Sequence, residues 1–299
     1  MMAEPTPMRW AFRITDILNE VLGADHFPID VRTVALDLSR TLFPNDPITD
    51  VKGDDLPGFE GALYPAKAGR KGWGIIYNNR ISSPGRINFT LAHELGHYLL
   101  HRLQFPNGKA CSQQDVARWD SPEGKIEQQA NEFAANLLMP LDDFRRQIPE
   151  KATVDLDMLS ECASRYRVSL TAAALRWLGY TGKRAVLVVS VDGYILWARS
   201  STPALKSGAY FKTSLGPIEV PSAAAPVCRD LLADGRASVQ HGPNVWLSEP
   251  VLEHTLVPDH HDFAASLLLL DDTPPYRDFD GDGEVDTYEK MTAVRRREW

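Results

Sequence analysis

The chain has 299 residues, 43% hydrophobic and 24% charged, an ordinary globular balance that excludes a disordered or fibrous protein. Its 32 Lys and Arg against 40 Asp and Glu leave a formal charge of -8, which argues against broad non-specific nucleic-acid binding. No apolar run approaches the roughly 18–20 residues of a membrane span, MMAEPTPMRW shows no apolar leader, and 3 cysteines are too few for a disulfide framework. A cytoplasmic chain without membrane contact is expected, with about two domains at roughly 150 residues each.

In chain order, Trp10, Ile14, Ile17, Leu18, Val21 and Leu22 predict a helix over 10–22, ended by Gly23. A second helix is predicted over 30–42, capped by Asp30 and stopped by Pro44. Apolar pieces at 59–64 and 73–78, punctuated by Gly and Pro, read as strands of a small sheet. A helical run starts at Asn88 or Thr90 and continues through His101, and the polar stretch 102–122 reads as a long loop. A helix over 123–139 stops at Pro140, and a helical pair covers 142–180. After Lys183 the pattern changes: two apolar runs flank Asp192-Gly193, the strongest short-range hairpin signal. Strands near 217–220, 245–247 and 267–270 and a helix near 222–234 are expected to complete this part. The expected fold class is α+β. A mainly helical domain with a small β-sheet spans 10–182, a smaller α+β domain spans 183–272, and a tail spans 273–299.

His93-Glu94-Leu95-Gly96-His97 matches H-E-x-x-H on a helix. Residues i and i+4 share a helical face, so both imidazoles can reach one zinc ion, with Glu94 placed as general base. An amphipathic helix with two half-buried histidines is the bland alternative. The extended H-E-x-x-H-x-x-G-x-x-H pattern needs Gly at 100 and His at 103, where Leu100 and Leu103 stand, so that class is excluded. The remaining option for a third ligand is a carboxylate from the next helix, which offers Glu123, Glu127 and Glu132, giving a His₂Glu set. Glu127 is chosen there, because its face also carries the small residues Ala130 and Ala134, which allow close helix packing. Glu132 lies roughly 140° around the helix from Glu127 and reads as a solvated charge. His101, one turn beyond His97, either supports the ligands or is a core or surface histidine. Tyr98 is a weak candidate for holding the oxyanion, and a strand near 73–79 would offer an edge to an extended substrate.

The run Arg86-Ile-Asn-Phe-Thr-Leu-Ala-His-Glu-Leu-Gly-His97-Tyr-Leu-Leu-His101, followed by Glu127-Gln-Gln-Ala-Asn-Glu-Phe-Ala-Ala-Asn-Leu-Leu-Met-Pro140, resembles the ImmA/IrrE metallopeptidase family. Pro28-Ile-Asp-Val, 58–63 and Ile75-Ile-Tyr-Asn78 also fit that family, and the likeness covers about 10–180. The resemblance implies a zinc peptidase with His93, His97 and Glu127 as ligands and Glu94 as catalytic base. Its implied substrate is a helix-turn-helix transcriptional repressor, whose cleavage releases stress, mobile-element or, in CapP-like members, anti-phage defence genes. Single-stranded DNA or a small ligand is the implied signal, with the 183–272 part as sensor. A chain ending near Gly182 is accordingly expected to fold yet to lose its response.

Three further features stand apart. Cys111, between the second histidine and Glu127, would cap the metal as an inhibitory fourth zinc ligand or be a bystander thiol. Cys162 and Cys228 sit in helical apolar patterns and read as core residues. The two helical stripes within 155–178 resemble a helix-turn-helix, but Arg176 is the second helix's single basic residue, which favours structural or docking work over DNA binding. A DNA-binding regulator with a structural metal site is the alternative function. Finally, Asp278, Asp280, Asp282, Glu284, Asp286 and Glu289 follow the twelve-residue calcium-loop spacing, with Gly283 at the sharp turn. Pro274-Pro275 remove any normal entering helix, so calcium binding competes with a solvated acidic turn.

Overall fold

The computed structural model describes residues 5–66, 71–111, 122–258 and 263–272, the side chains of 110, 111, 122 and 123 excepted. The calcium-like loop at 278–289 therefore lies outside the described residues, as does the side chain of Cys111. No helix among the described residues is long and apolar enough to cross a membrane.

Helix α1 (Pro7–Leu22) begins three residues before Trp10, where apolar periodicity alone would start it. Thr6 accepts from the Arg9 amide, and Pro7 takes the first turn, where its missing N–H costs nothing. Its buried stripe of Trp10, Ala11 and Ile14 faces the core, and the helix ends at Gly23. Helix α2 (Val31–Leu42) is capped by Asp30, which accepts from the Thr33 amide, as the sequence indicates. Three strands follow: β1 (Ile48–Asp54), β2 (Gly61–Pro65) and β3 (Trp73–Asn78). β1 has no strict apolar alternation, only Ile48 and Val51 buried among polar residues, and sequence patterning misses it.

Helix α3 (Pro84–His101) starts at a Ser83-Pro84 cap, earlier than expected, with Ser83 accepting from the Arg86 amide. Strand β4 (Lys109–Cys111) interrupts the predicted loop and pairs antiparallel with β2. The first sheet has the order β1-β3-β2-β4, with β1 and β3 parallel and the other pairs antiparallel. β3 is thus enclosed by β1 and β2, and the expectation that it offers a free edge is wrong. The edges are β1 and β4.

Helices α4 (Pro122–Leu138), α5 (Leu141–Gln147), α6 (Leu156–Tyr166) and α7 (Leu170–Leu178) complete this half. Asp143 at the start of α5 ties α5 to α6: the Tyr166 hydroxyl donates to it at 2.6 Å, and Arg146 and Arg165 pair with it.

The remainder is built on one antiparallel sheet, with a short helix at Thr202–Lys206. β5 (Ala185–Val191) and β6 (Tyr194–Ser200) form the expected hairpin, and Asp192 (φ 51) and Gly193 (φ 79) supply the two left-handed positions its turn demands. With β7 (Ile218–Glu219), β8 (Arg236–His241), β9 (Val251–Leu256) and β10 (Phe263–Leu269) the order is β7-β6-β5-β10-β9-β8. The expected strand 245–247 is a bend, and its Trp246 is buried with Nε1 donating to Glu253. The expected helix 222–234 is a set of turns around one short 3₁₀ turn, Arg229–Leu231. Cys228 is therefore a half-buried turn residue and not a helical core residue, whereas Cys162 is buried in α6.

Strand alternation gives the second sheet two working faces. Ala185, Leu187 and Leu267 join the core of the helical half, alongside Trp177 of α7, while Val186, Val188 and Leu268 join a separate core with Val251, Ile195 and Trp246. The larger core thus crosses Gly182. A chain ending there would uncover Trp177 and its neighbours, so the packing argues against independent folding of 10–182.

Candidate metal centre

Two helices build the site. Gly96 on α3 faces α4: a Cβ there would lie 3.0 Å from Phe133 Cδ1 and 3.3 Å from Ala130 Cα. The glycine between the two histidines, opposite Ala130, lets the helices approach closely enough for side chains on both to meet. Among the described residues, His93, His97 and Glu127 form the one cluster of potential ligands able to hold a metal ion, and all three are buried.

Their geometry fits an ion. His93 Nε2 and His97 Nε2 are 2.9 Å apart, and Glu127 offers Oε2 at 3.1 Å from His93 and Oε1 at 3.5 Å from His97. Ligand atoms about 2.0–2.1 Å from a tetrahedral zinc lie roughly 3.3 Å from one another, so the two imidazole nitrogens and the Glu127 carboxylate stand close to that spacing. Both Nε2 atoms point inward because both Nδ1 atoms are engaged outward. His93 Nδ1 meets Asn131 Oδ1 at 2.9 Å, and His97 Nδ1 meets His101 Nδ1 at 3.0 Å. His101, left open between a supporting and a core role, does both: it is 2% exposed and its Nε2 meets Gln129 Oε1 at 2.9 Å.

Burial lowers the His97 pKa to about 4, keeping that ring in the neutral form a metal needs. Burial acts in the same direction on His93, but its hydrogen bond to Glu127 and the charges of Glu94 and Glu127 outweigh it and raise the pKa. Glu127 is held far below the usual carboxylate range: burial would raise it, and the adjoining imidazoles of His93 and His97 and the Lys109 ammonium prevail.

Glu94 is wholly buried, directly under the first residue of β2. A Cβ on Gly61 would fall 2.6 Å from Thr90 Cγ2 and 2.8 Å from Glu94 Oε1, so only glycine lets the strand rest on this carboxylate. Opposite Gly61 in the sheet register stands Cys111, which brings its backbone to the strand that covers Glu94. Lys109, two residues earlier on β4, places Nζ 2.9 Å from Glu127 Oε1. Sequence reasoning misses Lys109, because a lone lysine in a polar stretch carries no signal. Gln129 and Asn131 are also missed, although amides beside a ligand glutamate are a readable hint.

Other candidates fall elsewhere. The Tyr98 hydroxyl donates to the Asp46 carbonyl at 2.7 Å, and its ring packs against Phe43 and the Arg102 guanidinium. It is a core residue and not an oxyanion donor. Glu132 stays apart from the metal cluster, half-buried. Helices α6 and α7 meet at Arg167 (φ 51), but α7 buries Ala173, Ala174, Trp177 and Leu178 and packs against β5 and β6. Its one basic residue, Arg176, donates to Asn136 Oδ1 at 3.1 Å. A helix so covered lacks the free polar face that major-groove reading needs.

A search of curated proteins gives no match. Residues 49–178 match the family model Peptidase M78, described as the IrrE N-terminal-like domain. That span begins in β1, ends with α7 and contains His93, Glu94, His97 and Glu127. This part of the chain is therefore a peptidase domain of the ImmA/IrrE family.

Proposed function

We propose that the chain is a zinc-dependent endopeptidase that cleaves a helix-turn-helix transcriptional repressor. One observation carries the metallopeptidase reading: His93, His97 and Glu127 converge at ligand spacing beside the buried carboxylate of Glu94. A His₂Glu set leaves one position open, which is the arrangement of catalytic rather than structural zinc. When bound, zinc would polarise the scissile carbonyl and lower the pKa of a coordinated water to about 7. Glu94 then accepts the proton of the attacking water on its carboxylate and delivers it to the departing amine. Burial excludes bulk water from that carboxylate, and Gly61 fixes its position from above. Lys109 balances the charge of Glu127. Among the described residues β4 is the sheet edge that contacts the metal cluster, through Lys109, so an extended peptide would add there by main-chain hydrogen bonding.

The repressor as substrate is supported by the likeness of the HELGH and FAANLLMP blocks to the family. Derepression of stress, mobile-element or defence genes would follow from its cleavage. The second sheet, which shares a core with the peptidase helices, is where single-stranded DNA or a small ligand would bias activity.

The test is to identify the gene adjacent to this one and, where it encodes a small helix-turn-helix repressor, to assay cleavage of that protein. Wild type is expected to cut it, and a chelator or Glu94→Gln to stop the cut, with zinc retained in Glu94→Gln. Cleavage that survives Glu94→Gln would refute the assignment. Salt-dependent duplex binding without any cleavage would favour the DNA-binding regulator instead.

A further inference from the structure

We propose that His101 and Gln129 form an ordered hydrogen-bond relay that locks His97 in the one tautomer able to bind a metal. This inference rests on the zinc reading above and names two positioning residues for it. A neutral imidazole has one nitrogen that donates and one that accepts. The Gln129 side-chain oxygen can only accept, so His101 Nε2, 2.9 Å away, must donate. His101 Nδ1 is then an acceptor, because a charged ring is disfavoured at 2% exposure. The nitrogen facing it at 3.0 Å, His97 Nδ1, must therefore donate. That leaves the lone pair of His97 on Nε2, the atom that faces His93 Nε2 and Glu127.

Reversing any link reverses the last one. Were the Gln129 amide to donate, His101 would carry its proton on Nδ1, and His97 would present Nε2–H to the metal cluster. His93 has the shorter form of the same device, with its Nδ1 donating directly to Asn131 Oδ1 at 2.9 Å. Helix α4 thus supplies Glu127 and also, through Gln129 and Asn131, the two acceptors that set both ligand tautomers. Outer partners of this kind typically change metal affinity by about 10–100-fold when removed.

Two measurements on the full chain test the relay. Long-range proton–nitrogen NMR of the zinc-loaded, histidine-labelled protein should show His101 neutral with its proton on Nε2, and His97 with its proton on Nδ1. A proton on His101 Nδ1 would overturn the proposal. Chelator competition should show zinc bound about 10–100-fold more weakly by His101→Ala. His101→Gln, which can accept from His97 and donate to Gln129, should recover most of that loss. Gln129→Leu should weaken binding while Gln129→Glu retains it, and because Gln129 is exposed these variants keep the fold even if His101→Ala does not. Unchanged affinity in both His101→Ala and Gln129→Leu, with a tightly binding wild type, would refute the relay alone. A wild type that binds no zinc would instead bring down the metallopeptidase reading, and the relay with it.

Discussion

The ammonium of Lys109 lies 2.9 Å from Oε1 of Glu127, and both side chains are largely buried, at 12% and 2% exposure. β4 is a three-residue edge strand, yet it places a fixed positive charge against the third candidate ligand. The metal cluster therefore includes its own counter-charge.

Removing that charge should be felt most in the metal-free protein. Lys109→Met is expected to cost about 3 kcal/mol of stability without metal, since it strips a buried carboxylate of an ion-pair partner. Zinc should restore more stability to Lys109→Met than to wild type, because binding then supplies the missing positive charge. Thermal melts with and without zinc check this, and equal zinc-induced shifts would count against it.

Gly61 is expected to control Glu94 without touching the ligands. Gly61→Ala forces a methyl to 2.8 Å from Glu94 Oε1 and 2.6 Å from Thr90 Cγ2, so the carboxylate must move. Cleavage should fall by about 100-fold, the scale of a 1 Å misplacement. Zinc content should stay at the wild-type level, and joint loss of metal and activity would contradict the assignment.

Asp143 should dominate one part of the acid response. Burial would raise its carboxyl, but the Tyr166 hydroxyl and the Arg165 and Arg146 guanidiniums hold it below its ordinary value. A depressed folded-state pKa stabilises the fold above the unfolded value of about 3.9, and that stability is lost as pH falls through the folded value. Asp143→Asn should cost about 2 kcal/mol at neutral pH, with the gap to wild type closing below about pH 4. A gap independent of pH in denaturant titrations would show that the charge contributes nothing.

Cys111, on the strand paired with the one that covers Glu94, is either a cap on the metal or a bystander thiol. Its backbone pairs with Gly61, the residue resting on Glu94. If its thiolate caps the metal, Cys111→Ala should raise basal cleavage of the repressor at unchanged zinc content. Unaltered or lower cleavage would leave Cys111 a bystander.

The cluster of potential ligands was readable because each part obeys a local rule. His93 and His97 follow helical spacing, and Ala130 and Ala134 mark the face that approaches α3. The hairpin at Asp192-Gly193 is equally local, whereas the caps at Thr6 and Ser83 were missed, because apolar periodicity begins both helices later than their caps do. What escaped depends on distant partners. β9 carries Glu253, a charge that patterning assigns to a surface, yet it is buried and receives bonds from His241, Trp246, Thr255 and the Ala225 amide. Trp246 looked like part of a strand because it is apolar, whereas its role is to close that network from a bend. The shared core at Ala185 and Leu187 was hidden likewise, since a run of Val and Leu does not reveal which face meets helices.

The most direct test of the account is zinc content, measured by atomic absorption on purified wild type, Glu94→Gln and His97→Ala. The account predicts a single equivalent of zinc in wild type and in Glu94→Gln, and loss of that zinc in His97→Ala, where one of three protein ligands is gone. Equal zinc in wild type and His97→Ala would contradict it.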